Sequence, residues 1–218
     1  MVNRVWSWSR PQQGAELLTP QDAYALWAPN YPPRPHNRLM AVEQAVIESR
    51  LPNLAGRDAL DAGCGTGRYL QLLAARGARA TGIDLSLPML AQAKAMSPRL
   101  VRAQVVALPF ASRSFDVVVS GLALGDVLHL APAIAELARV LRPGGQLLYS
   151  VVHPSGAEKG WSRTFETGGR QCAIAGFWHS LNEHRSACAS AGLAIGAWLE
   201  PSLDDGGDPA ALVVEATR

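Results

Sequence analysis

Between residues 57 and 152, short apolar runs alternate with segments of helical period. Strands are predicted at Arg57–Asp61, Arg79–Ile83, Val101–Val106, Ser114–Ser120 and Gln146–Val152. Helices are predicted between them at Arg68–Ala75, Leu87–Ala95 and Ala131–Leu141, the first ending near Gly77 and the last closed by the turn RPGG. The run SFDVVVS is almost continuously apolar, as a central parallel strand covered on both faces must be. Strands alternating with short helices imply a parallel sheet with right-handed crossovers. Ahead of this core, Thr19 and Pro20 predict the start of a helix over 20–28. A second helix over Asn37–Arg50 is predicted to turn Leu39, Val42, Ala45, Val46 and Ser49 inward. Behind the core, periodicity lapses from His153 to Phe177, where glycine and polar residues surround Trp161 and Phe165. A helix over His179–Ala191 and strands at Ile195–Leu199 and Ala211–Ala216, around the turn DDGGDP, complete the pattern.

The first strand-to-helix junction reads LDAGCGTGRYL, with Gly63, Gly65 and Gly67 at alternate positions and Asp61 just ahead. Glycine tolerates positive φ and lets a ligand approach the backbone, while the following helix presents free N–H groups. In open parallel sheets, ligands bind at the carboxyl ends of the strands. A pyrophosphate loop has the spacing GxGxxG, whereas this one is GxGxG, and a carboxylate at Asp61 would repel a pyrophosphate. An acid there suits a cationic ligand end such as an amino-acid ammonium. Asp84 closes the second strand, 17 residues beyond Gly67, where a carboxylate is placed to accept from two ribose hydroxyls.

Composition narrows the class. With 48% hydrophobic and 17% charged residues in 218, the chain is an ordinary globular protein. A net charge of +2 with scattered basic residues gives no phosphate track, so no nucleic-acid partner is expected. The three cysteines, Cys64, Cys172 and Cys188, form neither a disulfide framework nor a zinc spacing, and no metal site is expected. There is no apolar run of membrane-spanning length and no signal-peptide core, so a soluble, cytoplasmic protein without a membrane partner is expected, as monomer or homodimer.

LDAGCGTGRYL, TGIDLS, ALPFASRSFDVVVS and ELARVLRPGGQLLYSVVHP, in that order, resemble a class I S-adenosylmethionine-dependent methyltransferase of the type 11 small-molecule group, over roughly Leu54 to His153. The resemblance implies an α/β fold: a Rossmann-like three-layer sandwich around a seven-stranded, mostly parallel sheet with an antiparallel last hairpin strand. It implies one methyltransferase domain over 1–218, with a lid arm at 1–36 and an insertion at 154–177 over the active site. S-adenosylmethionine is the implied cofactor. Asp61, Gly63, Cys64, Gly65 and Gly67 then hold its methionine moiety, Asp84 its ribose, and Leu85 packs on adenine. Ser120, at the end of the fourth strand, is counted with these positions. In the family, the third strand usually ends in Gly-Asp-Ala, whose Asp accepts from the adenine amino group. This chain has Ala103-Gln104-Val105 there, leaving the Gln104 amide oxygen, or the backbone of Val105 or Val106, for that role. Tyr24 and Tyr31 are the implied lid tyrosines over the sulfonium, with packing of the arm on the sheet as the alternative.

The acceptor side is read by elimination. The fourth strand is followed by Ser120-Gly121-Leu122-Ala123, not the Asn/Asp-Pro-Pro-aromatic motif of enzymes that methylate base or glutamine amino groups. No Pro-Cys pair supports cytosine C5 chemistry, and the separation of Cys172 and Cys188 does not suit arsenic. Asp126, His129 and His153 remain as candidate acceptor-side groups. His153 has strand capping before Pro154 as its alternative, and His129 a surface position at a helix start. Trp161, Phe165, Phe177 and Trp178 are candidates for an apolar acceptor pocket or for plain packing. The expected partner is a small-molecule acceptor or a carrier-bound one. The layout resembles enzymes that methylate malonyl-acyl-carrier protein, for which Arg163 or Arg170 would meet the carboxyl, and also ubiquinone-type C- and O-methyltransferases. A non-catalytic cofactor-binding module and a nicotinamide-dependent dehydrogenase are the competing readings. The latter lacks a clear catalytic Lys/Tyr pair.

Overall fold

The computed structural model describes residues 7–9, 14–97 and 99–218. Its main sheet has seven strands: β3 (Asp58–Ala62), β4 (Arg79–Asp84), β5 (Leu100–Arg102), β6 (Phe115–Gly121), β7 (Leu141–Val152), β10 (Ala194–Leu199) and β11 (Ala211–Thr217). Their order is β10-β11-β7-β6-β3-β4-β5. Only β11 runs against its neighbours, wedged antiparallel between β7 and β10. Strand faces alternate. Leu60, Val118, Leu147, Tyr149 and Val214 point into a core formed with α5 (Leu130–Val140) and α6 (Leu181–Ser190). Ala59, Val117, Val119, Leu148 and Val213 point into a second core with α2 (Arg38–Arg50), α3 (Arg68–Ala75) and α4 (Leu87–Ala93). This period-two division of one apolar run between two helical layers is why SFDVVVS carries no polar face. The sandwich has three layers, as the resemblance implies.

Local signals mark the helix ends, although RPGG, expected as a turn, lies at the start of β7. Thr19 caps α1 (Pro20–Trp27) by accepting the Asp22 N–H. Gly77, at φ +84, lets its own N–H and that of Ala78 return to the carbonyls of Ala74 and Leu73, closing α3. Ser180 and Glu183 form a reciprocal capping box on α6.

Several expectations are corrected. Helix α2 buries Leu39, Met40, Glu43 and Ile47, not the stripe through Ala45 and Ser49, which are exposed. The reason is a buried carboxylate that an apolar count scores as surface. Strand β5 ends at Arg102, and Ala103–Val106 is a turn pinched by a Gln104–Ala107 bridge. As an edge strand, β5 pairs only with β4, and nothing extends it. Residues 154–177 contain β8 (Ser162–Thr167) and β9 (Arg170–Ile174). These join β1 (Ser7–Ser9) and β2 (Glu16–Leu18) in a second, four-stranded sheet of order β1-β8-β9-β2. Ala23 and Trp27 of α1 bury themselves against Phe165, Cys172 and Ile174 of that sheet, with the Trp27 and Phe165 rings stacked at 4.8 Å. Arm and insertion are thus one layer of packing. Among the described residues, no helix is long and apolar enough to cross a membrane.

Candidate active site

A cavity of about 380 Å³ opens at the carboxyl ends of β3, β4 and β6, under α1. That volume lies within the range of small-molecule clefts, about 300–1,000 Å³. Its floor is the glycine loop. The N–H groups of Gly63 and Cys64 both donate to the Ile83 carbonyl at the end of β4, so the loop is tied down. The three glycines have different reasons to be glycine. A Cβ on Gly63 would lie 2.5 Å from the Ala123 Cβ, and one on Gly67 2.9 Å from the Met96 Cγ. Both serve close packing within the fold. Gly65, at φ +54, meets nothing within 4 Å, and its bare backbone lines the cavity. Gly63 and Gly65 both line the cavity, and Gly67 does not, so two of the three glycines turn backbone toward a ligand.

Asp84 secures this arrangement from the tip of β4. Its two carboxylate oxygens accept the N–H groups of Gly65 and Ser86, each at 2.8 Å. Burial pushes the Asp84 carboxyl upward, and these two N–H donors pull it back. Asp61, from β3, is 1% exposed, and neither of its oxygens has a hydrogen-bond partner. Burial raises its pKa to about 7 against the opposing pull of Arg68. A buried carboxylate without a partner is costly unless something cationic arrives. The cavity therefore suits a ligand with a positively charged end at Asp61 and hydroxyls at Asp84.

Arg68, the residue after Gly67, was not singled out in the sequence. It lines the cavity and gives Nη1 to Glu43 at 2.8 Å. Glu43, wholly buried on α2, also accepts from the hydroxyls of Tyr69 at 2.7 Å and Ser150 at 2.5 Å. The available signal was spacing: Glu43 lies one helical turn beyond Leu39 and one before Ile47, on a helix ahead of a glycine loop. Leu122, at φ +58, also lines the cavity, its N–H bound to Ser150. This is a left-handed non-glycine residue of the kind that clusters at functional sites.

Tyr24, Tyr31, Cys64, Leu85, Gln104, Val105 and His129 all reach the cavity wall. Three other expected residues do not. Gly67 supports the turn from behind. Ser120 is fully buried and donates to the Ala62 carbonyl at 2.8 Å, inside the sheet. His153 turns away: its Nδ1 accepts from the Ser155 N–H at 3.2 Å, and its Nε2 lies 3.6 Å from Glu200. The backbone-capping alternative describes it better than an acceptor-side base. The aromatic residues of the insertion also miss the main cavity. Phe165 stacks on Trp27, Trp161 and Trp178 crowd Gly156, and Phe177 and Trp178 line a separate small cavity behind Arg163. Cys172 and Cys188 sit in different cores.

Asp126, Tyr24 and Arg163 meet on the cavity wall from three distant segments. Arg163 Nη1 donates to Asp126 and to the Tyr24 hydroxyl, each at 2.7 Å, and its Nη2 donates to the other Asp126 oxygen. The Tyr24 hydroxyl donates to Asp126 at 3.1 Å. Arg170, by contrast, pairs with Glu16 at the surface.

Residues 60–149 match the family model described as a methyltransferase domain. The chain is 37% identical over 132 residues to a malonyl-[acyl-carrier protein] O-methyltransferase of Enterobacter lignolyticus, covering 60% of this chain and 52% of that one. It is 32% identical over 184 residues to a phthiotriol/phenolphthiotriol dimycocerosates methyltransferase of Mycobacterium leprae, covering 76% of this chain and 66% of the relative. The chain spans about half the length of the first of these curated relatives. Its fold matches the crystal structure of an S-adenosylmethionine-dependent methyltransferase from Mesorhizobium loti with a TM-score of 0.67 at 25% identity, over 84% of this chain and 100% of that one. Taken with the loop, its two acids and the sheet order, these likenesses show that residues 60–149 are a methyltransferase domain of the class I S-adenosylmethionine-dependent kind.

Proposed function

We propose that this protein transfers a methyl group from S-adenosylmethionine to a small-molecule or carrier-bound acceptor. The observation that carries the reading is the buried, unpartnered carboxylate of Asp61 beside a loop pinned by Asp84. The bound cofactor supplies an electrophilic methyl group on a sulfonium. Asp61 takes the ammonium of its amino-acid end. Arg68 lines the same end of the cavity but is already paired with Glu43, so it only tempers the negative charge at Asp61. Asp84 has lone pairs left for the ribose hydroxyls after accepting two N–H groups. Leu85 offers the base an apolar surface, and Gln104 an amide at its edge. Tyr24 and Tyr31 place aromatic surface near the sulfonium. Burial raises both phenols, Tyr31 to about 12, so each stays a neutral hydroxyl at physiological pH. Helix α1 roofs the cleft and keeps out water that would compete with the acceptor. A pyrophosphate cofactor fits this cavity badly, because Asp61 has no cation beside it except Arg68, which is already bound to Glu43.

Calorimetric titration with S-adenosylmethionine and S-adenosylhomocysteine tests the reading, followed by transfer of an isotope-labelled methyl group to acyl-carrier and small-molecule acceptor pools. Micromolar binding and labelled product are expected. Failure of folded protein to bind either ligand would overturn the reading.

The Asp61 carboxyl predicts a pH dependence. In the ligand-free protein its pKa is about 7, above the unfolded value, so the stability it contributes is present in acid and lost as pH rises through about 7. Cofactor binding reverses this preference, because the ammonium needs the ionised form. The dissociation constant should rise by up to about tenfold per pH unit as pH falls below 7, one proton being linked to binding. Asp61→Asn should flatten that slope and weaken binding at pH 7.5 by roughly 10- to 100-fold, the value of a charged hydrogen bond. Calorimetry between pH 5.5 and 7.5 on both proteins checks it.

A further inference from the structure

The acceptor end of the cavity contains a buried arginine whose charge is already taken. Arg163 projects from β8, its side chain 8% exposed, and its guanidinium holds both oxygens of Asp126, whose side chain is 14% exposed. The same guanidinium donates to Tyr24 of the roof. On the other flank the backbone closes in: a Cβ on Gly176 would stand 3.3 Å from Arg163 Nη2. The other arginine of the wall, Arg68, is paired with Glu43 at the opposite, Asp61 end. Besides Asp126, Tyr24 and Arg163, the wall carries apolar Leu122, Val127, Leu128 and Val152, with His129 as a further polar side chain.

This arrangement discriminates by charge. A carboxylate entering here would approach Arg163 only in the company of Asp126. Two carboxylates sharing one buried site cannot both remain ionised without a large penalty. An uncharged group meets no such penalty. Asp126 accepts three hydrogen bonds, two from Arg163 and one from Tyr24. A carboxylate has about four lone-pair sites, so one stays free for a donor on the acceptor.

We infer that the subsite at Asp126 takes an uncharged hydroxyl on an otherwise apolar acceptor and rejects a free carboxylate, Arg163 being neutralised in place by Asp126. The inference rests on the methyltransferase reading and names the acceptor class of that same site. Asp126 is here a specificity-determining residue that orients the hydroxyl, and Arg163 and Tyr24 hold it in position.

Matched probes test it: phenol against benzoate, and 1-hexanol against hexanoate, titrated by ligand-detected NMR into protein saturated with S-adenosylhomocysteine. In the wild type each hydroxyl probe should bind at least tenfold more tightly than its carboxylate partner. Asp126→Asn, which leaves the Arg163 charge uncompensated, should raise carboxylate affinity at least tenfold. The double variant Asp126→Asn/Arg163→Gln removes both charges, so it separates charge from misfolding; it should keep the hydroxyl preference and gain nothing for carboxylates. A carboxylate preference in the wild type, absence of hydroxyl-probe binding, or an unchanged ratio in Asp126→Asn would each overturn the inference. None of these would touch the methyltransferase reading, which fails separately if S-adenosylhomocysteine itself does not bind.

Discussion

Asp84→Ala should weaken S-adenosylhomocysteine binding by at least about 100-fold while the chain still folds. The expectation follows from what the carboxylate does at once. It accepts the N–H of Gly65 in the loop and the N–H of Ser86, which starts α4. Removing it leaves two part-buried donors without their partner, each costing up to about 1–3 kcal/mol. In the proposed binding mode the variant also removes the acceptor for the ribose hydroxyls. Gly65 is a loop position whose backbone stands open to the cavity, so its release falls on the ligand side rather than in the core. Asp84→Asn keeps one acceptor oxygen, and its loss should be intermediate, about tenfold for one hydrogen bond. Calorimetry gives both numbers, and circular dichroism shows whether the fold persists. Equal affinity in the wild type and Asp84→Ala would remove Asp84 from the site.

The largest effect on stability is expected from Glu43→Ala. Glu43 is wholly buried and accepts from Arg68, Tyr69 and Ser150, joining α2, α3 and β7. Truncation strands the Arg68 guanidinium, whose side chain is only 8% exposed. Breaking a buried ion pair by removing one partner costs about 3–5 kcal/mol. For a chain of this size that lowers Tm by roughly 6–20 °C. Glu43→Gln keeps the shape and an acceptor and should lose less. Thermal unfolding followed by circular dichroism checks the order wild type, Gln, Ala. Because Arg68 also faces the Asp61 end of the cavity, the Ala variant should bind cofactor more weakly even below its melting point. An unchanged Tm would mean that Arg68 finds another buried anion.

The residues that were legible in the chain and those that were not differ in a physical way. The loop between Leu60 and Leu70 could be read because its geometry is local. A strand tip, a tight turn of positive-φ glycines and a helix start lie within a dozen positions, and Asp84 follows at the next strand end. Cys64, Leu85 and Val105 reached the cavity for the same reason: each sits at a strand end or in the turn beyond it. His153 also sits at a strand end, but one residue decides which side of the sheet a side chain takes. Val152 lines the cavity, and His153 beside it faces Ser155 and Glu200. Ser120 fails by the same alternation, its hydroxyl used up on Ala62 inside the sheet.

The residues that escaped notice are paired charges. Glu43 looked like a surface residue of an amphipathic helix, and Arg68 like the polar first residue of another, because each is buried only by virtue of the other, 25 positions away. Asp126, Arg163 and Tyr24 are each candidates in the sequence, but their pairing is not legible there, because Asp126 and Arg163 are 37 positions apart and Tyr24 lies 102 positions before Asp126.

The alternation of apolar runs along the chain was enough to specify a parallel sheet with helical crossovers, and the glycine motif with its strand-end acids marked the place of the ligand loop. Those features depend on period and on neighbours within a few residues, where backbone geometry leaves little choice. Which acids are buried, which arginines are neutralised, and the joining of arm and insertion into one sheet over the cleft were set by folding. Charges and strand partners far apart in sequence are brought together only when the apolar cores close, and their worth depends on the water that leaves as they do.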